Sequence, residues 1–180
     1  SGFKGSFSVG TNNRASGTAS LTNGLANTAS GDYSHAEGYG NKAIGYGSHA
    51  EGRYTQATNT SSHAEGCFTY ATGYAAHAEG QSTHATYFAA HSEGYYTYAN
   101  GNASHTEGAY THSTGYTAHA EGYQTHSNSN ASHAEGQFTH ANGQASHTEG
   151  RNTHTYASYA HAEGLATFAN GYSSHAEGGG

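Results

Sequence analysis

Residues 62–75 read Ser-His-Ala-Glu-Gly-Cys-Phe-Thr-Tyr-Ala-Thr-Gly-Tyr-Ala, and at residue 76 the pattern begins again with Ala-His-Ala-Glu-Gly. The His of this motif recurs at 35, 49, 63, 77, 91, 105, 119, 133, 147, 161 and 175, each 14 residues after the last. A fixed short period is the sequence mark of a stacked-repeat architecture. Two stretches within the period alternate, Ser-His-Ala-Glu and x-Thr-x-Ala-x, and alternation sends successive side chains to opposite faces of a strand. Each stretch runs into Gly, which suits a tight turn. The repeat therefore predicts two short strands per coil in a flattened roll. A coiled coil does not fit, because the spacing has no Leu or Ile seam and Gly recurs too often.

The register extends towards the N-terminus in degenerate form. Leu21 and Asn23 stand in the His and Glu columns, and Phe7 and Val9 do so one coil earlier. The expected division is residues 1–5 as an N-terminal tail or cloning remnant, 6–33 as degenerate coils and 34–180 as regular coils, about thirteen in all.

The aromatics predict which face is inside. None of the 16 Tyr and 6 Phe stands in the columns of Ser34, Ala36, Thr55 or Ala57, which hold small residues and occasional Asn. Those columns are expected to fill a thin interior, and His and Glu to face outward from the same strand. So thin an interior buries little apolar surface, and association through an outer face is the expected remedy.

Composition excludes several function classes. The five Lys and Arg are scattered on a chain of formal charge −7, so a nucleic-acid footprint is not expected. No apolar run is long enough for membrane insertion by this segment. Cys67 stands alone, so it forms no internal disulfide. No enzyme is expected and no catalytic residue is assigned, because eleven identical His and Glu pairs argue for structure over a unique active site.

The consensus resembles the head repeat of trimeric autotransporter adhesins, the YadA-type head, with Ser-His-Ala-Glu-Gly where that family has Ser-Val-Ala-Ile-Gly. The resemblance covers about Ser6 to Gly178, and Ser6-Phe7-Ser8-Val9-Gly10 fits it best. It implies an all-β, left-handed parallel β-roll solenoid that assembles as a homotrimer, with the Val and Ile columns facing the trimer interior.

Carried to this chain, the expected interface comprises Phe7, Val9, Leu21, His35, Glu37, His49, Glu51, His63, Glu65, His77, Glu79, His91, Glu93, His105, Glu107, His119, Glu121, His133, Glu135, His147, Glu149, His161, Glu163, His175 and Glu177. Each His is expected to donate to a Glu of a neighbouring chain, and Glu to raise the His pKa, so that the pairing holds at lower pH. A solvated His and Glu face is the competing reading. No cofactor is assigned, although symmetry-related motif His could hold a transition metal or an anion on the trimer axis.

A second His set, His84, His112, His126, His140 and His154, lies in the middle of the other strand. With the abundant Tyr it defines a candidate ligand surface: Tyr54, Tyr70, Tyr96, Tyr98, Tyr110, His112, His126, His140 and His154. The resulting expectation is an extracellular adhesin head on a bacterial surface, its parent anchored in the outer membrane, binding an extracellular protein or glycan. The alternatives are a shaft or receptor-binding segment of a virion tail fibre and, less favoured because the Thr column reads as interior, an ice- or mineral-binding array.

Overall fold

A computed structural model describes residues 5–179, so all of the expected tail but Gly5 lies outside the described residues. The chain is an all-β parallel β-solenoid, with no helix among the described residues. Two compact units are distinguished, Ser1–Ala89 and Ala90–Gly180.

In the first unit the long strands are Phe7–Thr11, Leu21–Leu25, His35–Tyr39, His49–Arg53, His63–Cys67 and His77–Gln81. Within this unit each pairs in parallel with the next, 14 residues on, in register without slippage: His49 lies beside His63, Ala50 beside Ala64, Glu51 beside Glu65. Between them run two-residue strands such as Gln56–Ala57 and Tyr70–Ala71, forming a second parallel sheet. The second unit repeats the plan from His91–Tyr95 to His175–Ala176, and its long strands shorten to two residues from His147–Thr148 onward. Strict register follows from a period with no insertion, since a one-residue slip would turn every interior side chain outward.

The interior is as thin as the small-residue columns predict. Ala36, Ala50, Ala64, Ala78, Ala120 and Ala134 are fully buried from the long strands, and Ala43, Ala57, Ala71 and Ala85 from the short ones. The residue before the motif His is Ser in seven coils and Ala in four, buried in all but the last, and where it is Ser it can brace a turn as well as fill space. The Ser34 hydroxyl donates to the Gly31 carbonyl at 2.6 Å, and Ser104 does the same to Gly101 at 2.7 Å.

The Thr column behaves in two ways. In its first coils it carries Asn13, Asn27 and Asn41, which build a side-chain ladder. Asn27 Nδ2 donates to the Asn23 and Gly38 carbonyls at 2.7 and 2.8 Å, and its Oδ1 accepts the Asn41 N–H at 2.9 Å. Further on, the hydroxyls of Thr69, Thr83, Thr111, Thr125, Thr139 and Thr153 are buried with no hydrogen-bond partner. Placement of these Thr inside the roll removes that column as an ice- or mineral-facing surface.

The turns differ from the expectation built on glycine alone. The motif Gly66 does sit at φ +104°, and an added Cβ would lie 2.1 Å from the Gly80 carbonyl oxygen. The second Gly of the repeat, such as Gly73, is not at positive φ. It is needed because a Cβ there would meet the Tyr87 carbonyl oxygen at 1.9 Å. The left-handed corners fall mostly on other residues: Phe68 and Ala75 in this coil, at φ 56° and 52°. Backbone bonds to the adjacent coil hold these costly conformations, as in Phe68 N–H to the Arg53 carbonyl at 2.9 Å.

Candidate functional site

Alternation along each motif strand sends His and Glu outward, while the small residue between them, Ala in most coils and Ser92, Thr106 or Thr148 in three, is buried in all but the last coil. In the first unit the His column runs Phe7, Leu21, His35, His49, His63 and His77 in parallel register. Because coils repeat at the strand spacing, the rings stack. His35 and His49 have centroids 4.8 Å apart at 5°, and in the second unit His105 and His119 are 4.7 Å apart at 4°.

Each imidazole has its carboxylate on its own strand. His35 Nε2 lies 3.3 Å from Glu37 Oε2, His105 Nε2 3.6 Å from Glu107 Oε2, and the terminal His175 pair opens to 3.9 Å. These separations exceed the roughly 2.7–2.9 Å of a charge-assisted hydrogen bond. The rings of His35, His49, His63, His105, His119, His133, His147 and His161 are only half-buried, yet their Nε2 atoms are closed to solvent and make no well-directed hydrogen bond. A carboxylate is thus supplied within each chain, and the expected donation to a neighbouring chain's Glu is not needed to place one beside each ring.

The expected rise in His pKa is corrected. His49, His63, His105, His119 and His133 are all lowered, first by burial and then by adjacent stacked His, ahead of the opposing pull of the Glu residues. A parallel stack puts each ring beside others that would carry the same charge, which adds to the burial that dominates the shift. At neutral pH these five rings are uncharged. Carboxylates repeating at the strand spacing, roughly 4.8 Å, repel by about 1 kcal/mol per neighbouring pair even in water.

Clusters such as His63, Glu65 and His77, or His105, Glu107 and His119, bring ligand atoms within 4.8 Å of one another. Stacking argues against a metal shared by the two rings of a cluster. A lone pair lies in the plane of its ring, and near-parallel planes 4.7–4.8 Å apart do not converge on one ion. A single chain offers an ion one imidazole and one carboxylate per coil, so a fuller ligand set on this face would have to come from other chains.

The short-strand face carries the second His set. In the second unit Tyr98 stacks on His112 at 4.7 Å, His112 on His126 at 5.0 Å, and His154 on Phe168 at 5.1 Å. His126, His140 and His154 follow at tilted angles. His140 is lowered to about 4, by burial first and then by its two His neighbours. Tyr96 and Tyr110, at the adjoining corner, stack at 5.6 Å. The predicted ligand-surface residues of this unit thus form two ladders.

In the first unit Tyr54 and Tyr70 come together in a groove of about 410 Å³, lined also by Ala26, Gly40, Lys42, Gln56 and Phe68. Sequence reasoning missed those five. The available signal was the column of Tyr54, where Ala26 and Gly40 stand in place of an aromatic.

Stacked columns of identical residues define the class: a tandem-repeat β-solenoid that presents one His and Glu face and one aromatic and His face. Compared with known protein families and with curated proteins, the chain matches no family model and no curated protein.

Proposed function

We propose that the chain is a segment of a homotrimeric extracellular rod of the adhesin-head kind. The His and Glu faces of three copies meet, and the opposite aromatic face is turned to an external ligand. The observation that carries this reading is the state of the long-strand outward face. The Nε2 atoms of His35, His49, His63, His105, His119, His133, His147 and His161 are closed to solvent without a well-directed partner, the motif carboxylates lie 3.3–3.9 Å from the imidazoles, and the same column opens on Phe7, 63% exposed. A column that holds Phe and Leu in one stretch and imidazole in the next suits a covered surface better than a solvated one.

The interior supports the same reading. It buries Ala, Ser, Thr and a few Asn, and at about 25 cal/mol per Å² such side chains stabilise a lone roll weakly. Neutral imidazoles can donate to carboxylates across a three-fold interface without placing cations there. Eleven copies of one pair fit a repeating contact and not a catalytic centre.

The test is sedimentation velocity of the chain and of its Phe7→Asp, Leu21→Asp double variant at pH 7.5. The unsubstituted chain is expected to sediment as a trimer. The variant should shift towards monomer with its strand circular dichroism retained. A variant as trimeric as the parent would refute the placement of this column at the interface.

A further inference from the structure

We infer that the groove on the first unit is a binding site for an acidic saccharide, one carrying a carboxylate on a pyranose ring. The inference rests on the proposed binding role of the aromatic face and names the ligand class for it.

The groove, about 410 Å³, is of the size that takes a small ligand. Three rings wall it: Tyr54 and Phe68 from the turn column, stacked at 5.4 Å and 16°, and Tyr70 from the short strand Tyr70–Ala71. The C–H bonds on one face of a pyranose carry partial positive charge and match the negative face of an aromatic ring. Hydroxyls at the rim of such a sugar need donors and acceptors, and Gln56 and Lys42 supply them from the short strands.

Charge selects the class further. The chain carries formal charge −7 with only five Lys and Arg. Lys42 is exposed and lines the groove. Arg53 holds its guanidinium 5.5 Å from the Tyr54 ring and 5.8 Å from the Phe68 ring. Lys42 thus brings one of five cations of an acidic protein into the groove, and Arg53 lies against two of the rings that wall it, a balance complementary to a carboxylate.

The site also depends on what its columns lack. Ala26 and Gly40 precede Tyr54 in its column, and the Tyr54 ring lies over Gly40, where an added Cβ would approach it to 2.7 Å. That omission leaves Tyr54 with an open neighbour. Its hydroxyl is held by Tyr39, which raises its pKa and fixes the ring.

Titration calorimetry with a hyaluronan tetrasaccharide, which carries glucuronate, and with uncharged chitotetraose tests the assignment. The unsubstituted chain should bind the uronate oligomer at least fivefold tighter than the neutral one. Lys42→Gln should erase that preference, and Tyr54→Ala should weaken both ligands at least tenfold, with melting temperature and circular dichroism confirming that each variant folds. No binding of either oligomer overturns the assignment, as does uronate binding unmoved by Tyr54→Ala or a preference that survives Lys42→Gln. Should Tyr54→Ala fail to fold, Gln56→Ala takes its place, with weaker binding expected and unchanged binding counting against the site. Oligomeric mass is read on the same samples. A monomer that still binds refutes the trimer and leaves the groove standing, whereas a trimer that binds neither oligomer refutes the groove alone.

Discussion

The two faces of the long-strand sheet are equally regular and regular for different reasons. On the inner face Ala64 and Ala78 are fully buried, and a larger side chain has nowhere to go, so repetition follows from the width of the roll. On the outer face His63 and Glu65 have side-chain exposures of 37% and 41%, and the width of the roll does not limit their size. Under the proposed trimer, invariance there is a demand from outside the chain. The first coils sharpen the contrast. Their inner face keeps Ser and Thr, with Thr22 donating to Ser8 Oγ at 2.9 Å, while their outer face changes to Phe7, Val9 and Leu21.

The largest effect should come from breaking the inner face. Ala64→Phe is expected to cost about 3 kcal/mol or more by overpacking, read as a loss of cooperative thermal unfolding. Its outer neighbour Glu65→Gln should change stability of the isolated roll by less than about 0.5 kcal/mol. Comparable costs at the two positions would erase the distinction between the faces.

Gly66→Ala should follow. At φ +104° with a carbonyl oxygen 2.1 Å from the new Cβ, the cost is of the order of 1–3 kcal/mol, measured by chemical denaturation.

Acid should come next. His49, His63, His105, His119 and His133 of the motif, and His84, His112, His126, His140 and His154 of the short strands, have folded pKa values below the ordinary 6.5, so the folded state binds fewer protons than the unfolded one. Their contribution is complete above about pH 6.5 and is lost as pH falls towards the folded values, about 4 for His140. Melting temperature should decline below pH 6.5, by about 2–4 °C for each kcal/mol lost. A melting temperature that rises between pH 6.5 and 5 would restore the opposite sign. His140→Phe should flatten part of the decline.

The smallest effect lies in the Thr column. Thr83→Val removes a buried hydroxyl that has no partner and should stabilise by up to about 1 kcal/mol. Asn41→Val should do the reverse, because Asn41 Oδ1 accepts from both the N–H and the hydroxyl of Thr55, at 2.8 and 3.0 Å.

Much of this was legible in the sequence because a strict period turns a one-dimensional pattern into columns. The small residues at Ser34, Ala36, Thr55 and Ala57 gave the interior, and it is found there. Three things were not legible. The left-handed corners at Phe68 and Ala75 carry no residue signal, since adjacent-coil hydrogen bonds impose them. The sign of the His pKa shift depends on ring stacking, which a spacing of 14 residues does not reveal until the strands are known to lie in register. The groove at Tyr54 is made by residues 14 apart across four coils, and Gly40 contributes by what it lacks.

The claim that the His and Glu face is a subunit interface is tested most directly by the native mass of the unsubstituted chain at pH 7.5. Three times the 18.5 kDa of one chain is the expected result. A particle of 18.5 kDa at every concentration tried would contradict it.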